Sequence, residues 1–144
     1  MIKSERNKSG LLCYWDETLN ASKIKSPKES IEQKQLNSGC LYRWPEYSQM
    51  MFHVINESGG SGDSRYGSEL NRMGRKKGVP DWPVMIPSGK YHGFYIELKR
   101  SRKSDSSTSK EQKTFLTQAE LIGYKCVIAY GYKAALHAIE EYLK

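Results

Sequence analysis

Two carboxylates and a lysine form the most informative pattern of this sequence. Asp81 ends a Gly-Val-Pro-Asp turn, and sixteen residues later Glu97 and Lys99 flank a single apolar residue. Alternate side chains of a β-strand lie on the same face, so Glu97 and Lys99 point the same way. The neighbouring apolar residues, Ile96 and Leu98, would then face a core. If the preceding strand brings Asp81 alongside, two carboxylates and one ammonium group meet at one point.

Such a group of charges suits hydrolysis of a phosphate ester. Carboxylates are hard oxygen ligands, and Mg²⁺ or Mn²⁺ typically takes one or two of them together with waters and substrate phosphate. We therefore expect Asp81 and Glu97 to bind the metal, with the backbone carbonyl of Leu98 as a third ligand. A bound metal lowers the pKa of a water and polarises the scissile phosphate. Lys99 would orient that water or offset the charge that builds up in the transition state.

The surrounding sequence predicts a hairpin and a capped helix that position these groups. Residues 81–86 and 92–99 are expected to be strands joined by a Pro-Ser-Gly-Lys turn. Ser109 and Gln112 occupy the positions of a capping box, which predicts a helix over residues 109–122. An apolar strand and a final helix then complete the chain.

The first part of the chain is less regular. We expect residues 1–26 to be a polar extension, partly ordered or joining a neighbouring subunit, and residues 27–144 to form the domain. Ser26 and Glu29 stand where a capping box would begin a helix that runs to about Tyr42.

Three further segments lead from that helix to Asp81. The apolar run Met50–Ile55 predicts a buried strand, and the Gly- and Ser-rich residues 57–67 predict a flexible loop. Residues 68–77 predict a short basic helix closed by Gly78. The whole order predicts an α/β fold in which helices flank a mixed central sheet.

Composition narrows the class of partner. The chain has 144 residues and a formal net charge of +7, which suits one domain with an anionic partner such as nucleic acid. We expect a soluble, cytoplasmic protein, because there is no apolar run long enough to span a membrane and no strongly basic amphipathic helix. The three cysteines are scattered without metal-ligand spacing, so we expect reduced thiols and no zinc site.

Two groups of basic residues flank the acids. Either group alone would be read as solvated surface, but two groups around an acidic pocket suit a cradle for a DNA backbone. The predicted DNA-binding residues are Arg72, Arg75, Lys76, Lys77, Arg100, Arg102, Lys103, Lys110 and Lys113.

Each part of the pattern also has a purely structural interpretation. A Glu-x-Lys pair on a strand is often a surface ion pair, and Pro-Asp is common turn chemistry. Glu29 and Gln112 both fit capping boxes. The combination of these parts favours a functional site.

The combination resembles the PD-(D/E)XK nucleases, and within them the VRR-NUC (virus-type replication-repair nuclease) family. The resemblance covers the chain from about residue 29 to the end. The matching segments are Glu29-Ser-Ile-Glu-Gln33, Phe52-His-Val-Ile-Asn56 with Glu57-Ser-Gly-Gly60, Gly78-Val-Pro-Asp81, Tyr95-Ile-Glu97-Leu-Lys99, Ser109-Lys-Glu-Gln112 and Gly123-Tyr124 with the strand that follows.

This resemblance implies a restriction-endonuclease-like core and a Mg²⁺- or Mn²⁺-dependent DNA endonuclease. It implies that Asp81 and Glu97 bind the metal, that Lys99 is the catalytic lysine and that Gln112 helps to order water or substrate. Glu29 would be the acid from the first helix, with Glu32 as the alternative; the distance to Pro45 favours Glu29.

Small stand-alone members of the family, often encoded by phages, are similar in size to this chain. They imply a homodimer that resolves four-way (Holliday) junctions in branched DNA. Three alternatives stay open: a restriction-like enzyme, a repair nuclease acting on flaps, and a non-catalytic nucleic-acid-binding module.

Overall fold

The computed structural model describes residues 1–55 and 64–144. Its strands are β1 (Ile2–Arg6), β2 (Leu12–Asp16), β3 (Trp82–Val84), β4 (Phe94–Lys99) and β5 (Lys125–Tyr130). Its helices are α1 (Glu17–Asn20), α2 (Glu29–Arg43), α3 (Ser64–Arg72), α4 (Lys110–Leu121) and α5 (Tyr132–Leu143), with 3₁₀ turns at Pro45–Met50 and Lys103–Asp105. Among these helices, none combines the length and apolar character needed to cross a bilayer.

Within the described ranges, the five strands form one mixed sheet in the order β1-β2-β5-β4-β3. The three central strands are parallel, and each edge strand is antiparallel to its neighbour. Helix α4 connects β4 to β5, which is the crossover that adjacent parallel strands require. The predicted α/β fold with a mixed central sheet is therefore confirmed.

The alternation along β4 separates core from site. Ile96 and Leu98 are fully buried in a cluster formed with residues of α2 and α5. Tyr95 lies on the opposite face, where it packs with Phe115 of α4. Glu97 shares the parity of Tyr95, so it lies on the face that α4 covers.

The predicted hairpin is present and sets the register around Asp81. Trp82 pairs with Ile96, and Val84 pairs with Phe94. One step further along the same antiparallel register, Asp81 falls opposite Glu97. The hairpin therefore brings the two acids alongside each other, as the sequence predicted.

The N-terminal residues differ from the expected extension. Up to Asp16 they belong to the sheet, because β1 and β2 form a hairpin and β2 pairs in parallel with β5. The physical reason is the apolar content of residues 11–14, in which Leu11, Cys13 and Tyr14 are buried. These side chains fill both faces of the central sheet.

Helix α2 has the predicted extent but not the predicted cap. It begins at Glu29 with Lys28 in the capping position and no side-chain hydrogen bond there. The Ser26 hydroxyl instead donates to the Asp105 carboxylate over 2.6 Å. The capping box predicted at Ser26 and Glu29 was therefore wrong, because a distant acid takes up the hydroxyl.

The buried strand predicted for Met50–Ile55 was also wrong. Only an isolated bridge joins Met51 to Val84, and Phe52 and Ile55 are 40% and 78% exposed. Pro83 supplies the reason, since it lies on this edge between two backbone hydrogen bonds and has no N–H to continue a ladder.

The helix before Gly78 begins and ends at earlier residues than the predicted range 68–77. Helix α3 ends at Arg72 rather than continuing to residue 77, and Gly74 follows with a φ of +109°. Residues 56–63, which contain most of the predicted 57–67 loop, lie outside the described residues. Residues 64–67 already belong to α3.

Candidate metal centre

Strand β4 and the turn before β3 bring the first two acids together. The backbone N–H of Leu98 donates to Asp81 Oδ1 over 2.9 Å, which fixes the carboxylate against β4. Gly131 N–H donates to the Lys99 carbonyl on the β5 side. Since backbone polar groups alternate between the two edges of a strand, the Leu98 carbonyl faces the edge where Asp81 lies.

The third acid comes from the first residue of α2. One carboxylate oxygen from each of Glu29, Asp81 and Glu97 lies within 4.8 Å of the other two. Oxygens that share one Mg²⁺ lie about 3–4 Å apart, because each is about 2.0–2.1 Å from the ion, so only a small approach of these side chains would let them share a cation. Three separated parts of the chain thus meet at one point.

Arg100 holds the start of α2 against the catalytic strand. Its Nε donates to the Pro27 carbonyl over 2.9 Å, and its Nη2 donates to the Ser26 carbonyl. Arg100 directly follows Lys99 in the sequence, so this contact ties the position of Glu29 to the end of β4. We predicted Arg100 as a DNA-binding residue, whereas the structure engages its guanidinium within the chain.

Glu32, the alternative first-helix acid, lies elsewhere. Its side chain is buried, and its Oε2 accepts a hydrogen bond of 2.8 Å from the backbone N–H of Tyr132 at the start of α5. Glu32 therefore caps a helix, while Glu29 joins Asp81 and Glu97. The geometry favours Glu29 for the acidic site.

Burial, and repulsion from a neighbouring acid, raise the pKa values of Asp81 and Glu97. Burial raises the pKa of Asp81 well above its usual range, and the neighbouring Glu97 raises it further. Burial also raises the pKa of Glu97 to about 7, although Lys99 opposes this effect. In the absence of a cation, the protein therefore resists ionising both carboxyl groups together.

One oxygen of Glu97 lacks any partner. Glu97 Oε2 is buried and accepts no hydrogen bond from the residues that the structure describes. A buried carboxylate oxygen in this state is costly unless a charge or donor satisfies it. The hard oxygen donors, their spacing and this unsatisfied atom fit a divalent cation bound by Asp81, Glu97 and Glu29.

Gln112 connects the Lys99 ammonium group to the buried Glu97 carboxylate. Its Nε2 donates to Glu97 Oε1 over 2.7 Å, and its Oε1 accepts from Lys99 Nζ over 3.1 Å. Lys99 Nζ also lies 3.4 Å from Glu97 Oε1. The same amide completes the predicted capping box with Ser109 at the start of α4. Gln112 thus caps α4 and also contacts Lys99 and Glu97.

A glycine allows α4 to come this close. Gly78 has a φ of +85°, and a Cβ there would lie 2.4 Å from the backbone carbonyl carbon of Glu111. Only glycine combines this left-handed backbone with so close a contact. Gly78 therefore sets the distance between the Asp81 turn and the first turn of α4.

The basic residues around α3 lie on the surface. Arg72 is 81% exposed and lies 3.5 Å from a glutamate one turn earlier. Arg75 donates to the side chain of Asn71, and Lys76 and Lys77 follow as exposed residues. Arg72, Lys76 and Lys77 are thus exposed ahead of Gly78, whereas Arg75 is half-buried.

The basic residues after β4 fall into two classes. Arg102 forms a bidentate pair with Asp105, and the Lys103 ammonium lies 3.2 Å from the centre of the Trp15 ring. These two cations are engaged within the chain. Lys110 and Lys113 are exposed in the first turn of α4, next to Gln112 in sequence.

The structure adds residues that sequence reasoning missed. His53 Nδ1 lies 3.2 Å from the Asp81 carbonyl oxygen, a distance at which the ring N–H donates to it. The only sequence signal was the position of His53 in the apolar segment 50–55. The contact of Arg100 with residues 26 and 27 had no local signal, because the partners are more than seventy residues apart.

The mixed sheet, with Glu97 on β4 and Asp81 directly before β3, is similar in fold to a solved protein domain. A solved structure described as a VRR_NUC domain protein superposes with a TM-score of 0.70 and 24% sequence identity, over 83% of this chain and 91% of that chain. No family model and no curated protein matches the sequence. The likeness supports the VRR-NUC resemblance at the level of the fold.

Proposed function

We propose that this chain is a divalent-metal-dependent DNA endonuclease. The observation that carries the proposal is the convergence of Glu29, Asp81 and Glu97, with oxygens within 4.8 Å of one another. The fold shared with a VRR_NUC domain protein supports it. A non-catalytic binding module would leave this acidic cluster unexplained, because bare carboxylates repel phosphate.

The cofactor is Mg²⁺, or Mn²⁺ with similar ligand preferences. Asp81, Glu97 and the Leu98 carbonyl would hold it, with Glu29 on the α2 side. When bound, such an ion lowers the pKa of a coordinated water and neutralises charge on the phosphate. Both effects favour hydrolysis of a phosphodiester.

The remaining chemistry belongs to the chain itself. Lys99 orients the attacking water or offsets the negative charge that grows on the phosphate oxygens. Gln112 holds the Lys99 ammonium and the Glu97 carboxylate in one hydrogen-bonded arrangement. The lysine thus needs little reorganisation when substrate arrives, which is the condition for effective electrostatic stabilisation.

The substrate we propose is branched DNA, in particular a four-way junction, cut by a homodimer. The net charge of +7 and the exposed Lys77, Lys110 and Lys113 support a polyanionic partner. A two-fold dimer would present two equivalent sites to opposed strands of a junction. Sedimentation of the protein with and without junction DNA tests the dimer.

Nicking of a synthetic four-way junction in Mg²⁺ or Mn²⁺ tests the activity. We expect nicking by the wild type, and none in EDTA or in the folded variants Asp81→Ala and Lys99→Ala. Glu111→Gln is the matched control, because Glu111 is an exposed acid in the first turn of α4. Full activity of Asp81→Ala, or of the wild type in EDTA, would refute the proposal.

A panel of substrates distinguishes the related activities. Preferential cutting of four-way junctions supports a resolving enzyme, and preferential cutting of flaps supports a repair-type nuclease. Cutting of linear duplexes at one sequence supports a restriction-like enzyme. Binding of DNA without cleavage, combined with no metal binding in calorimetry, supports the non-catalytic alternative.

A further inference from the structure

A cavity of about 520 Å³ adjoins the acidic site and has no part in the chemistry described above. Residues from α2, the segment beside β3 and β3 itself line it, among them Gln33, Lys34, Phe52, His53 and Trp82. We call it the Gln33 pocket. Its volume is several times that of a water molecule, so it can hold a planar ring system.

The pocket is continuous with the acidic site along two elements. Gln33 follows Glu29 by four residues on α2, so both side chains lie on the same helix face about 6 Å apart. Trp82 directly follows Asp81, and His53 contacts the Asp81 carbonyl. The pocket therefore lies on the α2 side of the acidic site, next to the turn that carries Asp81.

Gln33 supplies an unused hydrogen-bonding edge. Both its Oε1 and its Nε2 are buried and have no hydrogen-bond partner in residues 1–55 and 64–144. A buried amide without partners carries a desolvation cost, which a ligand with a matching donor and acceptor would relieve once the Gln33 side chain turns towards the pocket. The edge of a nucleobase offers such a pair, as in contacts of glutamine with adenine.

Phe52 supplies an aromatic surface beside that amide. Its side chain is 40% exposed although it lines the pocket. Stacking of a base on an aromatic side chain contributes about 1–3 kcal/mol and tolerates any base. Lys34, at the same pocket, can pair with the phosphate that accompanies such a base.

We propose that the Gln33 pocket receives one unpaired nucleobase of a nucleotide that adjoins the scissile phosphate. This inference rests on the proposed nuclease function and adds a reason for preferring branched DNA. Withdrawing a base from a duplex costs a few kcal/mol, and a base at a branch point is already free of part of that cost. DNA with an unpaired base at this point would thus bind more tightly than a fully paired duplex, because less free energy is spent on withdrawing the base.

The test uses forked DNA that carries an abasic residue at each position around the cut in turn. We expect one position at which loss of the base weakens binding about tenfold, as roughly 1.4 kcal/mol of lost stacking and hydrogen bonding would require. At that position, Gln33→Leu should weaken binding of intact fork similarly and should add no further loss on the abasic fork. Independent, multiplying effects would overturn the proposal.

Further variants distinguish a loss of DNA binding caused by misfolding from a loss caused by the missing Gln33 amide. Gln118→Leu makes the same substitution at an exposed position of α4 and should leave fork binding unchanged. Gln33→Met is the second variant if Gln33→Leu melts early, because methionine is unbranched and similar in length. Phe52→Leu should reduce the response of 2-aminopurine fluorescence at the same position.

Binding is measured in EDTA and cleavage separately, so that the two proposals fail differently. Normal cleavage by Gln33→Leu and Gln33→Met on every fork would overturn the pocket and leave the nuclease function standing. Absence of cleavage by the wild type, with base-dependent fork binding retained, would overturn the nuclease function and support the pocket as a base-binding site.

Discussion

The three acids of the site are held in place in two different ways, which we call the strand route for Asp81 and Glu97 and the helix route for Glu29. Asp81 and Glu97 lie opposite each other in the β3–β4 register, and the Leu98 N–H fixes Asp81. Glu29 arrives on α2, whose start is held by the side chain of Arg100. The strand acids thus depend on backbone geometry, whereas the helix acid depends on one guanidinium. Substitutions that disturb the strand acids should therefore lower activity by a different factor than substitutions that disturb Glu29 or Arg100.

The largest effect is expected from the strand acids. Asp81→Ala or Glu97→Ala should lower the single-turnover nicking rate at least about a thousandfold, because each removes a proposed metal ligand. Glu29→Ala should cost only about 10–100-fold, since the backbone-anchored pair of Asp81 and Glu97 remains to hold the ion. Equal losses for all three variants at saturating Mg²⁺ would contradict the distinction between the routes.

A substitution at Gly78 tests how closely the Asp81 turn must approach α4, and it changes none of the three acids. Gly78→Ala combines a left-handed backbone with overlap against Glu111, and we expect a loss of about 3 kcal/mol in the free energy of unfolding. Gly10→Ala is the matched control, because Gly10 has a φ of +80° with nothing within 4 Å of the added Cβ. It should cost about 1 kcal/mol. Urea unfolding of both variants measures the difference, and equal losses would show that the close contact with α4 is unimportant.

Arg100 tests the route of Glu29. Arg100→Met should lower the nicking rate about 10–100-fold, because the start of α2 loses its hydrogen bonds to the catalytic strand. The loss should largely vanish in a Glu29→Ala background, since Arg100 acts through that acid. Arg43→Met, at the other end of α2 in an exposed pair with Glu140, is the matched control and should be nearly silent. Additive losses in the double variant would indicate that Arg100 contacts DNA directly.

The smallest expected effect is the pH-dependent contribution of Glu97 to the melting temperature. A carboxyl group whose pKa is raised on folding stabilises the protein below its unfolded pKa and loses that contribution as the pH rises through its folded pKa. With Glu97 raised to about 7, the metal-free wild type should therefore melt below Glu97→Gln at pH 8 by about 4 °C, or about 1 kcal/mol. The gap should narrow towards pH 4.5. Mg²⁺ should raise the melting temperature of the wild type alone at pH 8, and a similar rise in Glu97→Gln would speak against Glu97 as a ligand.

Local patterns predicted the strand half of the site. Alternation along residues 95–99 predicted which side chains face the core, and the hairpin predicted the approach of Asp81 to Glu97. Ser109 and Gln112 predicted the start of α4 because a capping box is satisfied within four residues. In each case the partners are close in sequence or fixed by strand period, so the physical determinants were readable.

The parts that the sequence did not predict depend on distant partners. Ser26 bonds to Asp105 rather than to its own helix, and Arg100 bonds to the carbonyls before α2. The N-terminal strands exist because β5 offers an edge to β2, which no local pattern of residues 1–16 reveals. Lys103, which was predicted to bind DNA, likewise lies over the ring of Trp15, a residue far from it in the sequence.

The side-chain amide of Gln112 has a consequence for how this chain tolerates change. One amide both starts a helix and bonds to a buried acid and a buried base, so a substitution that alters one of these tasks alters the other. Glutamate would keep the cap but place a negative charge against Glu97, while asparagine would keep neutrality but fall one methylene short. Both the helix cap and the contacts with the buried charges therefore restrict which residue can occupy position 112. A designer who changes this residue to alter the site has to redesign the start of α4 as well.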